Sequence, residues 1–347
     1  MNDDPGLANA VLYNPRQLRR ETLKAIFTAR RGLLDRFVQD LHAKRPSHQL
    51  IVGPRGMGKT TLLRRIGIAI EDEPKLAKRL LPLTFPEEQY NVGSLGEFYL
   101  NCLDALADYL DNRDPVGARK LDALVQELRK HPEAELVDES EAALIHHAKS
   151  MKRQFVLLVD NLSIIIDRLS DKEKWRLREW LSRSEQRPVL IAATVKFISD
   201  TADHGQALYE FMNVQELGGC DTEEAIAVLR ELAKVFKAPK VSEWLDADPA
   251  RLAVLNRLAG GAPRTLVMLF QLLVQGMDGP VFQELDRLLD LATPLYKARF
   301  EELPDQAQRV VDALALYWDP ATRQELEGES RIEGNAISSQ LSRLAKM

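Results

Sequence analysis

The chain has 347 residues, 45% of them hydrophobic and only 6% aromatic, and its formal net charge at pH 7 is −5. This length suffices for roughly two or three domains with buried cores, and the acidic balance excludes a global positive field that would recruit nucleic acid or an anionic membrane. No signal peptide is evident, no apolar run approaches the roughly 18 residues of a membrane span, and two distant cysteines make no disulfide framework, so we expect a cytoplasmic protein.

The N-terminal region divides into a polar segment and a basic one. Residues 1–15 are punctuated by proline and glycine and are predicted to be a flexible arm. Residues 16–41 then place apolar side chains at helical spacing. Nine Lys/Arg and three Asp/Glu between Arg16 and Arg45 give this stretch a net charge of +6. Such a stretch is either a solvated helix face or a surface facing a nucleotide, a subunit or a nucleic acid.

A phosphate-binding pattern begins at residue 53. Residues 53–60 read G-x-x-x-x-G-K-T, between an apolar run suited to a buried strand and a segment with helical spacing. The glycines let backbone N–H groups turn toward phosphate oxygens, Lys59 would reach the β- and γ-phosphates, and Thr60 would bind Mg²⁺. The predicted nucleotide-binding residues of this loop are Gly53, Pro54, Arg55, Gly56, Met57, Gly58, Lys59, Thr60 and Thr61.

The segment after this loop is predicted to contain one strand and several helices. Residues 80–85 form a candidate strand, which Pro82 assigns to an edge of the sheet or to a strand start. Residues 96–110 have the apolar period of a helix, and residues 111–150 are charged and helical, with breaks at two X-Pro pairs.

A second informative stretch ends in Asp160. Residues 155–159 are an apolar run typical of a buried parallel strand, and the carboxylate that follows would lie at the carboxyl edge of the sheet, where ligands bind. An acid in this position about a hundred residues after a phosphate-binding loop matches the Walker B pattern, and Asp160 would contact Mg²⁺. We therefore predict that Thr60 and Asp160 form the metal site.

The next predicted elements are a helix from about residue 171 to 184 and a buried strand over residues 188–194. Thr194 ends this strand and would either contact the γ-phosphate, orient water, or simply cap the strand. Asp221 is a plausible N-cap for the first of several helices. Within them, Gly260 and Gly261 end one helix, Pro263 suits the first turn of the next, and Arg264 lies just inside it.

These motifs together resemble the AAA+ P-loop ATPases, in particular the origin-recognition-like initiators and the STAND-type signalling ATPases. The segment FTARRGLL at residues 27–34 resembles the family's box that borders the adenine and includes Arg30. The resemblance implies that Thr194 is sensor 1 and that Arg264, in the sequence GGAPR, is sensor 2 and reaches the γ-phosphate from a helical lid.

The resemblance also implies the fold. We expect an α/β fold in which a P-loop parallel sheet with flanking helices is followed by an all-α lid and a truncated winged-helix domain. Residues 305–346 fit the last part, with three periodic helices and a tight turn at 332–334. The predicted parts are an arm (1–15), a nucleotide-binding core (16–218), a lid (219–293) and a winged-helix-like domain (294–347). The wing itself would follow Met347, so we expect a longer polypeptide.

Two departures from the family pattern affect the expected chemistry. Where the family has Glu after Asp160, this chain has Asn161, which can position water but cannot accept a proton; loss of a general base typically costs about a hundredfold or more in rate. Asp167 is a weak substitute. No arginine lies between Val195 and Leu217, so an arginine finger would have to come from elsewhere; Arg178, Arg183 and Arg187 are candidates.

The sequence thus predicts an ATP- and Mg²⁺-binding switch with catalytic candidates Lys59, Asp160, Asn161, Thr194 and Arg264. Slow hydrolysis would couple the ATP or ADP state to lid movement and self-assembly, with protein partners, within a larger signalling or defence protein. The alternative is an origin-recognition-like DNA-binding initiator or loader. Residues 294–347 weaken it, since seven basic and nine acidic residues leave a net charge of −2 where a DNA-reading domain is usually basic.

Overall fold

The structure is a computed structural model of the chain. It describes residues 18–85, 92–182, 187–195, 206–208, 210–247, 252–253, 256–257, 260–275, 297, 300–317 and 321–344. The chain forms two compact units, Met1–Val267 and Met268–Met347. The predicted arm and the end of the predicted lid lie outside the described residues. None of the described helices is both long and apolar enough to cross a membrane.

Helices make up most of the described chain. In order they are α1 Arg20–Ile26, α2 Arg31–Leu41, α3 Lys59–Asp72, α4 Pro74–Arg79, α5 Leu95–Asp111, α6 Pro115–Leu128, α7 Glu133–Met151, α8 Leu162–Ile166, α9 Asp171–Ser182, α10 Thr222–Val235, α11 Pro239–Ala247, α12 Pro263–Gln275, α13 Asp305–Ala315, α14 Arg323–Ser330 and α15 Gly334–Leu344. The predicted cap of α10 is confirmed: Asp221 accepts a hydrogen bond from the Glu224 N–H at 2.8 Å, and Glu224 accepts one in return.

In the described part of the first unit, five strands form one parallel sheet. They are β1 Gln49–Val52, β2 Leu80–Thr84, β3 Gln154–Val159, β4 Val189–Thr194 and β5 Asn213–Glu216, in the order β2-β3-β4-β1-β5. The predicted α/β fold is therefore confirmed. So is the edge position of the strand that contains Pro82, where a missing N–H costs least. Strand β4 separates β1 from β3, and the three carboxyl ends meet at one edge.

Helices cover both faces of the sheet, because successive side chains of each central strand point to opposite faces. Leu157 and Val159 of β3 pack into a core with α5, α6, α7 and α9. Val156 and Leu158 pack into a second core with α2, α3 and α4. This three-layer packing is why β3 is apolar from Phe155 to Val159, and it fixes the strand end that carries Asp160.

The structure differs from the predicted elements at two places that matter for the site. The periodic segment 16–41 is not one helix, since Phe27 leaves the helical conformation (ψ 84°) and the Thr28 N–H bonds the Ile26 carbonyl at 3.1 Å. Strand β5 was not predicted, because Asn-Val-Gln-Glu is short, mostly exposed and polar. It is specified by pairing with β1, where the Asn213 and Leu217 N–H groups donate to the carbonyls at both ends of that strand.

The second unit contains α13, α14 and α15 around a small apolar core. Val310, Leu326 and Ile337 come one from each helix and are almost fully buried. Arg331 ends α14 in the left-handed conformation (φ 56°), and α15 begins at Gly334, so the predicted tight turn is confirmed. The winged-helix assignment stays a prediction.

His48, just before β1, makes the first unit sensitive to acid. Its Nδ1 accepts from the Leu190 N–H at 3.0 Å, and its Nε2 lies 3.2 Å from the Leu181 carbonyl. Burial, together with the nearby Arg187 cation, lowers the pKa of His48 to about 4. The unfolded chain therefore binds more protons between about pH 6.5 and pH 4, and folding stability falls as pH drops through this window, by roughly 3 kcal/mol in full. We expect His48→Asn to reduce the dependence on pH of the free energy of unfolding, measured by urea denaturation. The same change at exposed His146 should not; equal slopes in the two variants would contradict this account.

Candidate functional site

The loop after β1 has a conformation that requires its glycines. Gly56 and Gly58 have φ of 86° and 83°, and a Cβ at Gly53 would lie 2.7 Å from the Leu217 carbonyl oxygen. The Gly53 N–H donates to the Thr194 carbonyl at 3.2 Å, which fixes the start of the loop to the end of β4. Helix α3 begins at Lys59, directly after the turn, so its N-terminus faces the loop.

Lys59 lies across the mouth of this loop. The residue is only 6% exposed, and its ammonium group donates to the carbonyls of Gly53 at 2.6 Å and Pro54 at 2.9 Å. Both of these carbonyl partners are neutral, and the lysine stands at the fixed position that phosphate-binding loops use for the β- and γ-phosphates. The arrangement therefore fits a polyphosphate.

Thr60 and Asp160 are brought together from α3 and the end of β3. The Thr60 hydroxyl donates to Asp160 Oδ2 at 2.5 Å, and Asp160, which is 4% exposed, also accepts from the Asn161 N–H at 2.9 Å. A hydroxyl and a carboxylate are the oxygen ligands that Mg²⁺ takes in nucleotide sites, where water and phosphate complete the coordination. Among the described residues no group of three or more His, Cys, Asp or Glu could chelate a metal without such help.

A cleft of about 310 Å³ opens above the loop. Ten of the predicted site residues line it: Arg30, Arg55, Gly56, Gly58, Lys59, Thr60, Thr61, Asp160, Asn161 and Arg264. The lining does not include the other four predicted site residues, which are Gly53, Pro54, Met57 and Thr194. The volume lies at the lower end of the range for small-molecule pockets.

A second part of the lining is apolar and was missed by sequence reasoning. Its residues are Leu18, Ile26, Phe27, Val228, Leu232 and Val267. They come from α1, α10, α12 and the adjoining segments, and only the segment near Phe27 had been identified. Thr28 lines the cleft beside them, and its hydroxyl is buried without a hydrogen-bond partner among the described residues. Apolar walls with a spare polar group suit a nucleobase.

The first turn of α12 contacts the phosphate-binding loop. The Arg264 N–H donates to the Gly56 carbonyl at 3.2 Å, and a Cβ on Gly56 would lie 3.4 Å from Arg264 Cβ. Gly260 and Gly261, both with φ of 65°, make the turn before α12, and the Gly261 carbonyl accepts from the Cys220 N–H at 2.7 Å. The predicted placement of Arg264 just inside a helix that starts at Pro263 is thus confirmed, and the side chain lines the cleft.

The remaining predicted residues differ in position. Thr194 ends β4 but is fully buried, and Val195 lines the cleft in its place. Asn161 lines the cleft in the left-handed conformation, with φ of 52°. Asp167 is exposed at the end of α8 and does not line the cleft.

Two of the three candidate finger arginines, Arg178 and Arg187, are described, and both contact other parts of the chain. Arg178 donates to the Ala207 carbonyl at 2.5 Å and lies 4.9 Å from the centre of the Phe211 ring. Arg187 donates to the Pro46 carbonyl at 2.6 Å. Arg183 lies outside the described residues. Neither described arginine lines the cleft.

Residues 27–192 match the family model of the AAA ATPase domain. No curated protein matches the chain. Among solved structures, the Aeropyrum pernix ORC2 protein in its ADP form is similar over 92% of this chain and 85% of its own, with 14% identity and a TM-score of 0.55. The Aeropyrum pernix ORC1 protein in complex with DNA follows (13% identity, 91% and 81% covered, TM-score 0.47). The Pyrococcus horikoshii STAND protein with a tetratricopeptide repeat sensor is 16% identical (88% and 38% covered, TM-score 0.33). Residues 27–192 therefore match an AAA ATPase domain, and the fold of the chain is similar to that of ORC2.

Proposed function

We propose that the chain is a nucleotide-dependent switch of the AAA+/STAND type. ATP binds with Mg²⁺ in the cleft, its phosphates on the loop of residues 53–60 and its base against the apolar wall. The presence of the γ-phosphate sets the position of the lid helices, and the lid controls self-assembly and protein partners. Slow hydrolysis to ADP returns the lid to its other position.

The observation that carries this proposal is the contact between Arg264 and Gly56. The arginine is tied to the phosphate-binding loop by its backbone, at 3.2 Å, and its side chain lines the same cleft as Lys59. A helix N-terminus is an unfavourable place for a cation unless an anion is near, so a phosphate at this point stabilises both the arginine and the first turn of α12. Nucleotide state and lid position are thereby coupled.

The residues around Asp160 support slow chemistry. Bound Mg²⁺ would polarise the phosphate oxygens, with Thr60 and Asp160 as its protein ligands. Asn161 then orients the attacking water through its amide but accepts no proton. The water's proton passes to solvent or to the phosphate itself, without a positioned base, which keeps turnover low.

Assembly is the test of this proposal. Light scattering after gel filtration is expected to give a larger mass with ATPγS and Mg²⁺ than with ADP or no nucleotide, and Arg264→Ala should keep nucleotide binding but lose the mass difference. Arg230→Ala on α10, which removes an exposed ion pair with Asp246, is the control and should assemble normally. Identical mass profiles with all nucleotides, in a protein shown to bind ATPγS, would contradict the switch.

The alternative of a DNA-binding initiator or loader rests on the basic segment 16–45 and the helices of residues 294–347. The net charge of −2 over the latter argues against it. Duplex binding that falls steeply with salt would favour this alternative over a protein partner.

A further inference from the structure

We propose that Arg55, inside the phosphate-binding loop, contacts the terminal phosphate of the bound nucleotide in cis. It would supply the charge that an arginine finger of a neighbouring subunit supplies elsewhere. The inference rests on the nucleotide binding proposed above and assigns a further residue to it.

The residues on either side of Arg55 contact the two other basic residues, Lys59 through its ammonium group and Arg264 through its backbone N–H. On one side the Pro54 carbonyl accepts from the Lys59 ammonium group at 2.9 Å, and on the other the Gly56 carbonyl accepts from the Arg264 N–H at 3.2 Å. The side chain of Arg55 lines the same cleft as those of Lys59 and Arg264. A phosphate chain on this loop therefore lies within reach of all three.

The described lining of the cleft is predominantly basic. Among the residues that the structure describes, four cations line it (Arg30, Arg55, Lys59 and Arg264), against one acid, Asp160. Arg30 donates to the Gly218 carbonyl at 2.6 Å, and Lys59 and Asp160 have the partners described above. Arg55 has no hydrogen bond or ion pair with any described residue. A guanidinium free to form two parallel bonds to phosphate oxygens is what a terminal phosphate binds best.

The position of Arg55 also accounts for a site that has no arginine finger among the described candidates. Arg178 and Arg187 are engaged with backbone carbonyls, and no arginine lies between Val195 and Leu217. In hydrolysis, a water oxygen bonds to the γ-phosphorus, the bond from that phosphorus to the β–γ bridging oxygen breaks, and ADP leaves with the electron pair. The water gives up a proton. Arg55 transfers nothing and neutralises charge on the γ-phosphate oxygens.

Calorimetric titration with ATPγS, ADP and AMP tests this assignment. We expect Arg55→Ala to weaken ATPγS binding about tenfold or more, ADP binding much less and AMP binding not at all, because one charged hydrogen-bonding pair is lost only with the terminal phosphate. The ATPγS affinity of Arg55→Lys should lie between those of wild type and Arg55→Ala. Arg119→Ala, on the exposed side of α6, makes the same charge change away from the cleft and should bind like wild type.

The outcomes separate this inference from the proposed function. Wild type that binds neither ATPγS nor ADP refutes both. If wild type binds both nucleotides, two results refute the role of Arg55 alone. One is that Arg55→Ala binds ATPγS as tightly as wild type does, and the other is that Arg55→Ala loses equal affinity for ATPγS and for ADP.

Two further readouts exclude a merely structural role. Without nucleotide, Arg55→Ala should keep or raise the unfolding temperature, since it relieves repulsion. Hydrolysis per chain should not rise with protein concentration; a rise that persists in Arg55→Ala would indicate a finger in trans.

Discussion

Lys59→Ala is expected to remove nucleotide binding while leaving the fold intact. The lost ammonium group is the most buried cation of the cleft, at 6% exposure, and it lies on the loop itself. A charge-assisted hydrogen bond contributes about 1.5–3 kcal/mol, so affinity for ATP should fall roughly 10- to 100-fold or more. At ATP concentrations near the wild-type dissociation constant, a loss of this size should remove most of the shift of unfolding temperature that ATP and Mg²⁺ produce.

Lys120→Ala on α6 is the matched control, since it removes the charge of an exposed lysine outside the cleft. It should show the wild-type shift. In Lys59→Ala without nucleotide, only a small change of stability is expected, because the loss of the two carbonyl contacts is offset by no longer having to bury an ammonium group that is 6% exposed. An ATP-induced shift that survives in Lys59→Ala would place the nucleotide elsewhere.

The second large effect is expected at Asn161, where a carboxylate should accelerate hydrolysis. Asn161→Glu introduces a general base directly after Asp160, on the lining of the cleft, and general bases contribute roughly 10²- to 10⁴-fold. The left-handed backbone at φ 52° works against the change. Asn tolerates this conformation, whereas Glu in it costs about 1–2 kcal/mol.

Asn161→Gln separates the two effects, because it has the same backbone cost and no proton acceptor. We expect both variants to unfold at a lower temperature than wild type and only Asn161→Glu to release phosphate faster. Equal rates in the two variants would show that the missing base does not limit turnover. A wild-type rate above about 1 s⁻¹, in the ordinary enzyme range, would contradict slow hydrolysis.

The phosphate-binding half of the site could be predicted because its chemistry fixes its sequence. A loop that wraps phosphate needs glycine at positive φ, as Gly56 and Gly58 have, and a lysine and hydroxyl at fixed spacing. A carboxylate after a buried strand is similarly constrained, which is why Asp160 could be paired with Thr60 across about a hundred residues. The parallel sheet followed from the apolar runs, and residues 27–192 match the AAA ATPase domain, as the resemblance predicted.

The base-binding half could not be predicted, since apolar lining residues have no fixed spacing. Val228 and Leu232 are four residues apart on α10, a period shared by every core-facing helix. The break at Phe27 depends on tertiary packing rather than on a proline or glycine. The full burial of Thr194 was equally hidden, because a strand-terminal threonine can face a ligand or the core with the same sequence.

Amide hydrogen exchange of residues 264–267, in the first turn of α12, tests the central claim most directly. The Arg264 N–H bonds the Gly56 carbonyl and so reports on the contact between lid and loop. With Mg²⁺ and ATPγS, exchange here should be slower than with Mg²⁺ and ADP. The difference from the nucleotide-free protein should be larger still. Equal protection by ATPγS and ADP, at saturating concentrations of each, would contradict a lid that senses the γ-phosphate.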